Sequence, residues 1–170
     1  MRGPDMRRPV PERPGPGQES VWDYPRPPRL ERTSERVEVE LGGRVVASTT
    51  AGWRVLETSH PPTYYLPREA FEPGVLREAE GASSCEWKGR AAYFDLVVGT
   101  RVAPQAAWTY PDPTPSFAEL AGAIAVMPGR VDRCTVNGET VVPQPGEFYG
   151  GWVTSRVVGP FKGGPGSRGW

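Results

Sequence analysis

Three stretches of this chain alternate, turn tightly and alternate again, and that pattern limits the fold more than any other feature. In Arg36–Leu41, Val37, Val39 and Leu41 fall on one side of an extended chain and Glu38 and Glu40 on the other; Gly42–Gly43 and then Arg44–Ser48 follow. A period of two on either side of a Gly-Gly pair is a hairpin pattern. Ala92–Val98, Gly99–Thr100 and Arg101–Tyr110 repeat it. Pro104 marks an edge or a bulge there, because proline cannot donate to a ladder. Val131–Val136, Asn137–Gly138 and Glu139–Val142 form the third unit, and Asn-Gly is the strongest short turn signal in the chain. The units at 41–48, 98–105 and 136–144 read as a weak internal repeat, or simply as three hairpins. The expectation is a mainly β protein, a compact multi-sheet domain built from hairpins with one short helix. That helix is expected at about residues 117 to 125. Ser116 and Glu119 give a capping-box pattern, and Phe117, Leu120, Ala121 and Ile124 share one helical face.

A chain of 170 residues carries one domain with a real core. Its 21 Gly and 21 Pro favour strands and turns over long helices. Twenty basic and twenty acidic side chains cancel, which removes the electrostatic case for a dedicated nucleic-acid or membrane-surface binder. No apolar run approaches the roughly 20 residues of a membrane span, and the start lacks an apolar signal region. Two cysteines make neither a disulfide framework nor, with a single His, a good zinc set. These features predict a cytoplasmic protein with reduced thiols. Residues 1–19 read as a flexible Pro/Arg-rich tail and 20–142 as the β domain. Residues 143–170 read as a Gly- and aromatic-rich extension packed on the body or on a partner, with a homodimer through the extensions as one possibility. Residues 20–28 are expected to be ordered, docking Trp22 and Tyr24 on the body, but to lack a regular sheet partner.

The chemistry gathers in Val55–Pro67, which holds the only His. Trp53–Glu57 reads as a strand that Pro61–Pro62 interrupts. Tyr64–Leu66 resumes it, Pro67–Ala70 forms one helical turn, 71–84 is a surface connector, and Cys85–Gly89 opens the next sheet.

The ordered motifs Leu-Glu-Thr-Ser-His-Pro-Pro-Thr-Tyr-Tyr-Leu-Pro67, Cys85-Glu-Trp-Lys-Gly-Arg-Ala-Ala-Tyr93 and Ala106-Ala-Trp-Thr-Tyr-Pro-Asp-Pro113 resemble the family known as domain of unknown function 427. The resemblance covers roughly residues 20 to 170, and the ending from Pro143 to Gly166 is similar to the actinobacterial branch. It implies a compact β domain related to the Mss4-like or β-tent group. That group's zinc sites use paired Cys-x-x-Cys knuckles, which this chain lacks, so no metal is carried over. A nucleotidyltransferase label attaches to the family, and no phosphate-cradling loop supports it here. Cys85 stands at the family's Cys position, followed by Glu86 where Pro or Tyr would be usual.

Three residue sets are candidates. Glu57 and His60, with Tyr64 and Tyr65, suit acid–base work if the carboxylate orients the imidazole; otherwise the His caps a turn and the rings pack. Cys85 and Lys88, with Trp87 and Tyr93, suit an activated thiol or an anion holder; otherwise the thiol is packed and the Lys solvated. Trp108 and Tyr110 share one strand face and suit a pocket wall, or ordinary core. Cys134, in a hairpin strand, reads as packed. Lys162–Gly166 has its Lys before the glycines and no helix after them, so it reads as a lid or subunit arm rather than a phosphate loop.

The expected function is binding of a small molecule in a polar–aromatic pocket. Metal-independent acid–base catalysis on a small, perhaps anionic, substrate is the enzymatic version. Glu57, His60, Lys88 and Cys85 would act, and Tyr64, Tyr65, Trp87, Tyr93, Trp108 and Tyr110 would bind. No cofactor is expected, and weak metal binding through Glu57 and His60 stays open. The alternative is a non-catalytic ligand-binding or protein-interaction module.

Overall fold

A computed structural model of the protein describes residues 8–85, 87–146 and 148–170. Two antiparallel sheets organise it. The larger takes β2 (Arg29–Thr33), β5 (Gly52–Leu56), β6 (Thr63–Leu66), β7 (Leu76–Cys85), β8 (Gly89–Val98), β9 (Arg101–Thr109) and β10 (Ile124–Val126), in the order β2-β5-β6-β10-β9-β8-β7. The smaller takes β3 (Val37–Leu41), β4 (Arg44–Thr49), β11 (Arg133–Val136) and β12 (Glu139–Thr140), in the order β12-β11-β3-β4. Two small ladders tie down the ends: β1 (Glu19–Ser20) parallel to β15 (Val157–Val158), and β13 (Val142–Pro143) antiparallel to β14 (Trp152–Val153).

The hairpin turns follow from the residues that make them. A two-residue turn matched to strand twist needs positive φ at both central positions. Gly42 and Gly43 stand at +63° and +78°, and Asn137 and Gly138 at +49° and +82°. Pro104 sits in a bulge, where the β8–β9 register slips between Phe94 and Leu96. Gln105 takes a positive φ of +48° there, and its N–H donates to Asp95 Oδ1 at 2.8 Å.

Alternation decides the core. Val37, Val39, Leu41, Cys134 and Val136 of the smaller sheet meet Tyr64, Leu66, Phe94, Leu96, Ala107, Ile124 and Val126 of the larger one. The opposite face of the larger sheet carries Val55, Tyr65, Ala91, Tyr110 and Ala125, covered at one end by Phe117 and Leu120. A third cluster of Val21, Tyr24, Leu56 and Val157 seals the two termini against the body.

Three sequence expectations need correction. Residues 117–125 do not make one helix. Pro115–Leu120 is a kinked 3₁₀ segment capped at Thr114 without a side-chain hydrogen bond, so the Ser116 box does not form. Gly122 at φ +77° turns the chain, and Ile124–Val126 becomes a strand between β6 and β9. Ladder bonds on both sides outweigh the local helical pattern. The connector 71–84 holds most of a ten-residue edge strand, β7, and Cys85 closes that strand instead of opening the next one. It escapes a periodicity search because an edge strand with both faces wet does not alternate. Ser20 also has a strand partner, Val158.

Of the tail expected over 1–19, residues 1–7 lie outside the described residues. Within the rest, the Glu12 N–H donates to Gly159 O and the Gln18 amide to Ser155 O. The extension beyond residue 142 inserts Trp152 into the main core, fully buried, with its indole N–H donating to Val126 O at 3.1 Å. No described helix is long and apolar enough to cross a membrane.

Candidate functional site

The outer face of the larger sheet sets side chains in a cross-strand row. Register pairs Arg32 with Trp53, Trp53 with Tyr65, Tyr65 with Ala125, Ala125 with Trp108 and Trp108 with Tyr93. Ala125 is the small member, so the rings of Tyr65 and Trp108 close over it edge to face at 6.3 Å. The Tyr93 hydroxyl reaches Ser83 Oγ at 2.7 Å on the edge strand. Above this aromatic floor lies a cavity of about 450 Å³, within the range of small-molecule sites.

Three separate stretches raise the walls. The β5–β6 connection brings Glu57, His60 and Pro61, the end of β7 and the turn after it bring Cys85, Trp87 and Lys88, and the C-terminal strap brings Gln144, Phe148, Tyr149, Gly150 and Lys162. Glu57, His60, Cys85, Lys88, Tyr65, Trp87, Tyr93, Trp108 and Tyr110 therefore all border one space. Tyr64 does not. It is one residue from Tyr65 on an extended strand and faces the other way. It packs on Trp152 at 5.0 Å and donates its hydroxyl to Glu35 at 3.0 Å.

The strap can lie this close because of two glycines. A Cβ on Gly150 would stand 2.3 Å from the Trp108 ring, and one on Gly151 would stand 2.4 Å from Gln144 Oε1.

The imidazole of His60 is held from both ends. Its Nε2 lies 3.4 Å from Glu57 Oε2, and its Nδ1 lies 3.0 Å from Gln144 Nε2. Gln144 is buried and cannot turn freely. Its Oε1 accepts from the Gly151 N–H at 3.1 Å, and its Nε2 also donates to Lys162 O at 2.9 Å. An amide nitrogen only donates, so Nδ1 must accept. The proton then sits on Nε2, facing the carboxylate. The ring of Tyr149 stacks edge-on against the imidazole at 4.9 Å.

Burial pushes the Glu57 carboxyl up, but the His60 ring beside it, and then the positive charges of Lys88 and Arg26, outweigh it and hold the group below the usual glutamate range. Glu57 is thus a carboxylate at neutral pH, with Arg26 at 3.5 Å behind it. Burial pushes the phenols of Tyr65 and Tyr110 up, and each is raised further by ionisable neighbours, Tyr110 for Tyr65 and Cys85 for Tyr110. Both remain neutral hydroxyls. Burial, with Glu40 nearby, also drives the Cys134 thiol far up, so it is a packing group. Among the described residues no cluster of three or more His, Cys, Asp or Glu side chains is placed to hold a metal.

The single imidazole makes its tautomer directly measurable. Nitrogen-15 spectra at neutral pH are expected to show His60 Nδ1 unprotonated and Nε2 protonated. Gln144→Ala should release that preference and give tautomer averaging. A wild-type ring protonated on Nδ1 would contradict the hydrogen-bond assignment.

Sequence reading missed Gln144, Tyr149, Lys162 and Arg130. Lys162 had a signal in its Gly-rich context, read as a lid or subunit arm, which did not single out the lysine as a lining residue. Gln144 had none, because it acts through an irregular strap whose path no periodicity encodes.

Fold and cavity together define an all-β domain with an aromatic-floored, charge-lined pocket. A family model described as Domain of unknown function (DUF427) matches residues 29–137, and the chain belongs to that family. The matched residues include Glu57, His60, Cys85, Lys88 and the whole aromatic floor, while Gln144, Tyr149 and Lys162 lie beyond them. No curated protein matches the chain.

Proposed function

We propose that the cavity binds a small molecule and performs metal-independent acid–base chemistry on it. The observation that carries this reading is the Glu57–His60 pair at 3.4 Å, bordering a 450 Å³ cavity that Lys88 also lines. Glu57 is the base, a charged carboxylate kept partly dry. The Nε2–H of His60 is the proton held against it, and Gln144 keeps the ring in register. Trp108, Tyr65, Tyr93 and Trp87 are the walls, and Cys85 is a thiol within the same space. Positioned proton transfer is worth about 10²–10⁴-fold in rate.

The test is to incubate the full chain with a mixture of small metabolites and follow the mixture by mass spectrometry. A compound consumed by the wild type should be turned over at least about 100-fold more slowly by Glu57→Gln and by His60→Asn, with its affinity changed only a few-fold. Turnover untouched in both variants would remove the pair from the mechanism.

The second reading is a non-catalytic module that clasps a ligand, a protein or a twin subunit. It draws on Phe148, which is 92% exposed at the cavity rim. Under either reading we take the protein as cytoplasmic, and as a member of the actinobacterial branch with the Mss4-like or β-tent relation that its motifs imply.

A further inference from the structure

Resting on the small-molecule reading of this cavity, we infer that its ligand is an organic oxyanion, a carboxylate or a phosphate monoester, carried on a flat ring. The charge balance of the lining points there. Lys88, Lys162 and Arg130 border the cavity, and Glu57 is the only acidic side chain among the described residues that does. That carboxylate is already engaged by Arg26 and His60, with Lys88 acting on it from further away. The chain as a whole has equal numbers of acidic and basic residues, so a cationic lining is a local arrangement and not a spillover of basic composition.

Each ammonium group also keeps donors to spare. Among the described residues neither Lys88 nor Lys162 has a side-chain carboxylate within ion-pair distance. Lys88 Nζ stands over the rings of Tyr110 and Phe117, at 5.8 and 6.0 Å. Lys162 Nζ stands 5.8 Å from the Tyr149 ring and donates one hydrogen bond, to Trp170 O at 3.3 Å. An ammonium carries three donors, and ring faces hold its charge without accepting in line. Rings that hold a cation beside a cavity prepare it for an anion from solution, since little water need be removed from it on binding. The flat body follows from the floor. Tyr65, Trp108 and Tyr93 lie in one cross-strand row, with Trp87 and Tyr149 beside them, and a planar ring buries most area against such walls. The neutral phenols of Tyr65 and Tyr110 add hydroxyls without adding negative charge.

The experiment is a ligand-observed NMR titration of the full chain with matched pairs: benzoate against benzamide, indole-3-acetate against indole-3-acetamide, and phenyl phosphate against phenol. At least one anion is expected to bind tenfold or more tighter than its neutral twin. Lys88→Met and Lys162→Met should each cut that advantage at least fivefold, with a smaller change in the affinity of the neutral twin. The pair with the larger advantage says whether carboxylate or phosphate is the preferred head. Twins that bind equally, or an advantage that survives both substitutions, overturn the oxyanion while leaving the small-molecule reading intact. Binding by no member of any pair overturns both.

Discussion

Replacing Trp152 with alanine is expected to cost about 3–5 kcal/mol of folding stability, the range for deleting a large buried aromatic. The side chain is fully buried between the sheets, packs on Tyr64 at 5.0 Å and satisfies its indole N–H on Val126 O. Its removal opens a void and leaves that carbonyl without its donor. Trp152 is also the anchor of the strap, since its backbone N–H donates to Pro62 O at 2.8 Å. Urea denaturation is the measurement, against a total of about 5–15 kcal/mol for a domain of ordinary stability. Phe148→Ala is the internal comparison. That ring is almost wholly exposed, and its loss should move stability by no more than about 0.5 kcal/mol. Equal losses in the two variants would mean that Trp152 does not pin the strap to the core.

The second large effect belongs to Arg54. Its side chain is fully buried, and its guanidinium bonds Glu19 at 2.9 Å and Glu31 at 2.6 Å. Glu19 also accepts from the Tyr24 hydroxyl and faces Arg156, which pairs with Glu35 at 2.9 Å. Arg54→Met keeps the volume and strands two carboxylates. Breaking a buried pair costs about 3–5 kcal/mol. Both glutamates are about a third exposed, so water takes over part of their solvation and the loss should fall near the lower end.

The pH dependence has a definite sign. Burial raises the Glu19 carboxyl, but Arg54, Tyr24 and Arg156 outweigh it and leave the group below its ordinary value. A carboxyl depressed in the folded state adds stability that is complete above its unfolded value and is lost as pH falls through the lower, folded one. Glu57 and Asp95 act in the same direction. Stability is therefore expected to decline below about pH 4.5, the ordinary glutamate value. Arg54→Met should flatten that decline, because Glu19 loses its main partner. An unchanged acid limb in the variant would show that Arg54 does not set it.

What could be read from the sequence divides along physical lines. Val37, Val39 and Leu41 declared their face because one side of β3 is buried and the other is wet, and Asn137–Gly138 declared its turn because few residue types accept its backbone. Glu57 and His60 stood out because several proton-handling groups clustered beside Pro61–Pro62, and Lys88 because it follows Cys85 by three residues. That cluster singled out residues without fixing directions, so Tyr64 entered the same list as Tyr65. Strand β7 was silent because water on both faces erases alternation. Ile124 looked helical because a short run can fit either period, and only its two neighbouring strands decide. Gln144 reaches the cavity through long-range contacts of an irregular segment, which leaves no local trace, and the Gly-rich context of Lys162 marks a mobile piece without saying what it covers.

Core and cavity share the strap that Trp152 anchors and Tyr149 extends, so occupancy and global unfolding are thermodynamically linked. A compound that needs this wall binds only the intact chain and raises its resistance to denaturation by RT ln(1 + [L]/Kd), about 2.7 kcal/mol at a hundredfold excess over Kd. The melting temperature thereby becomes a reporter for any compound that settles against this wall.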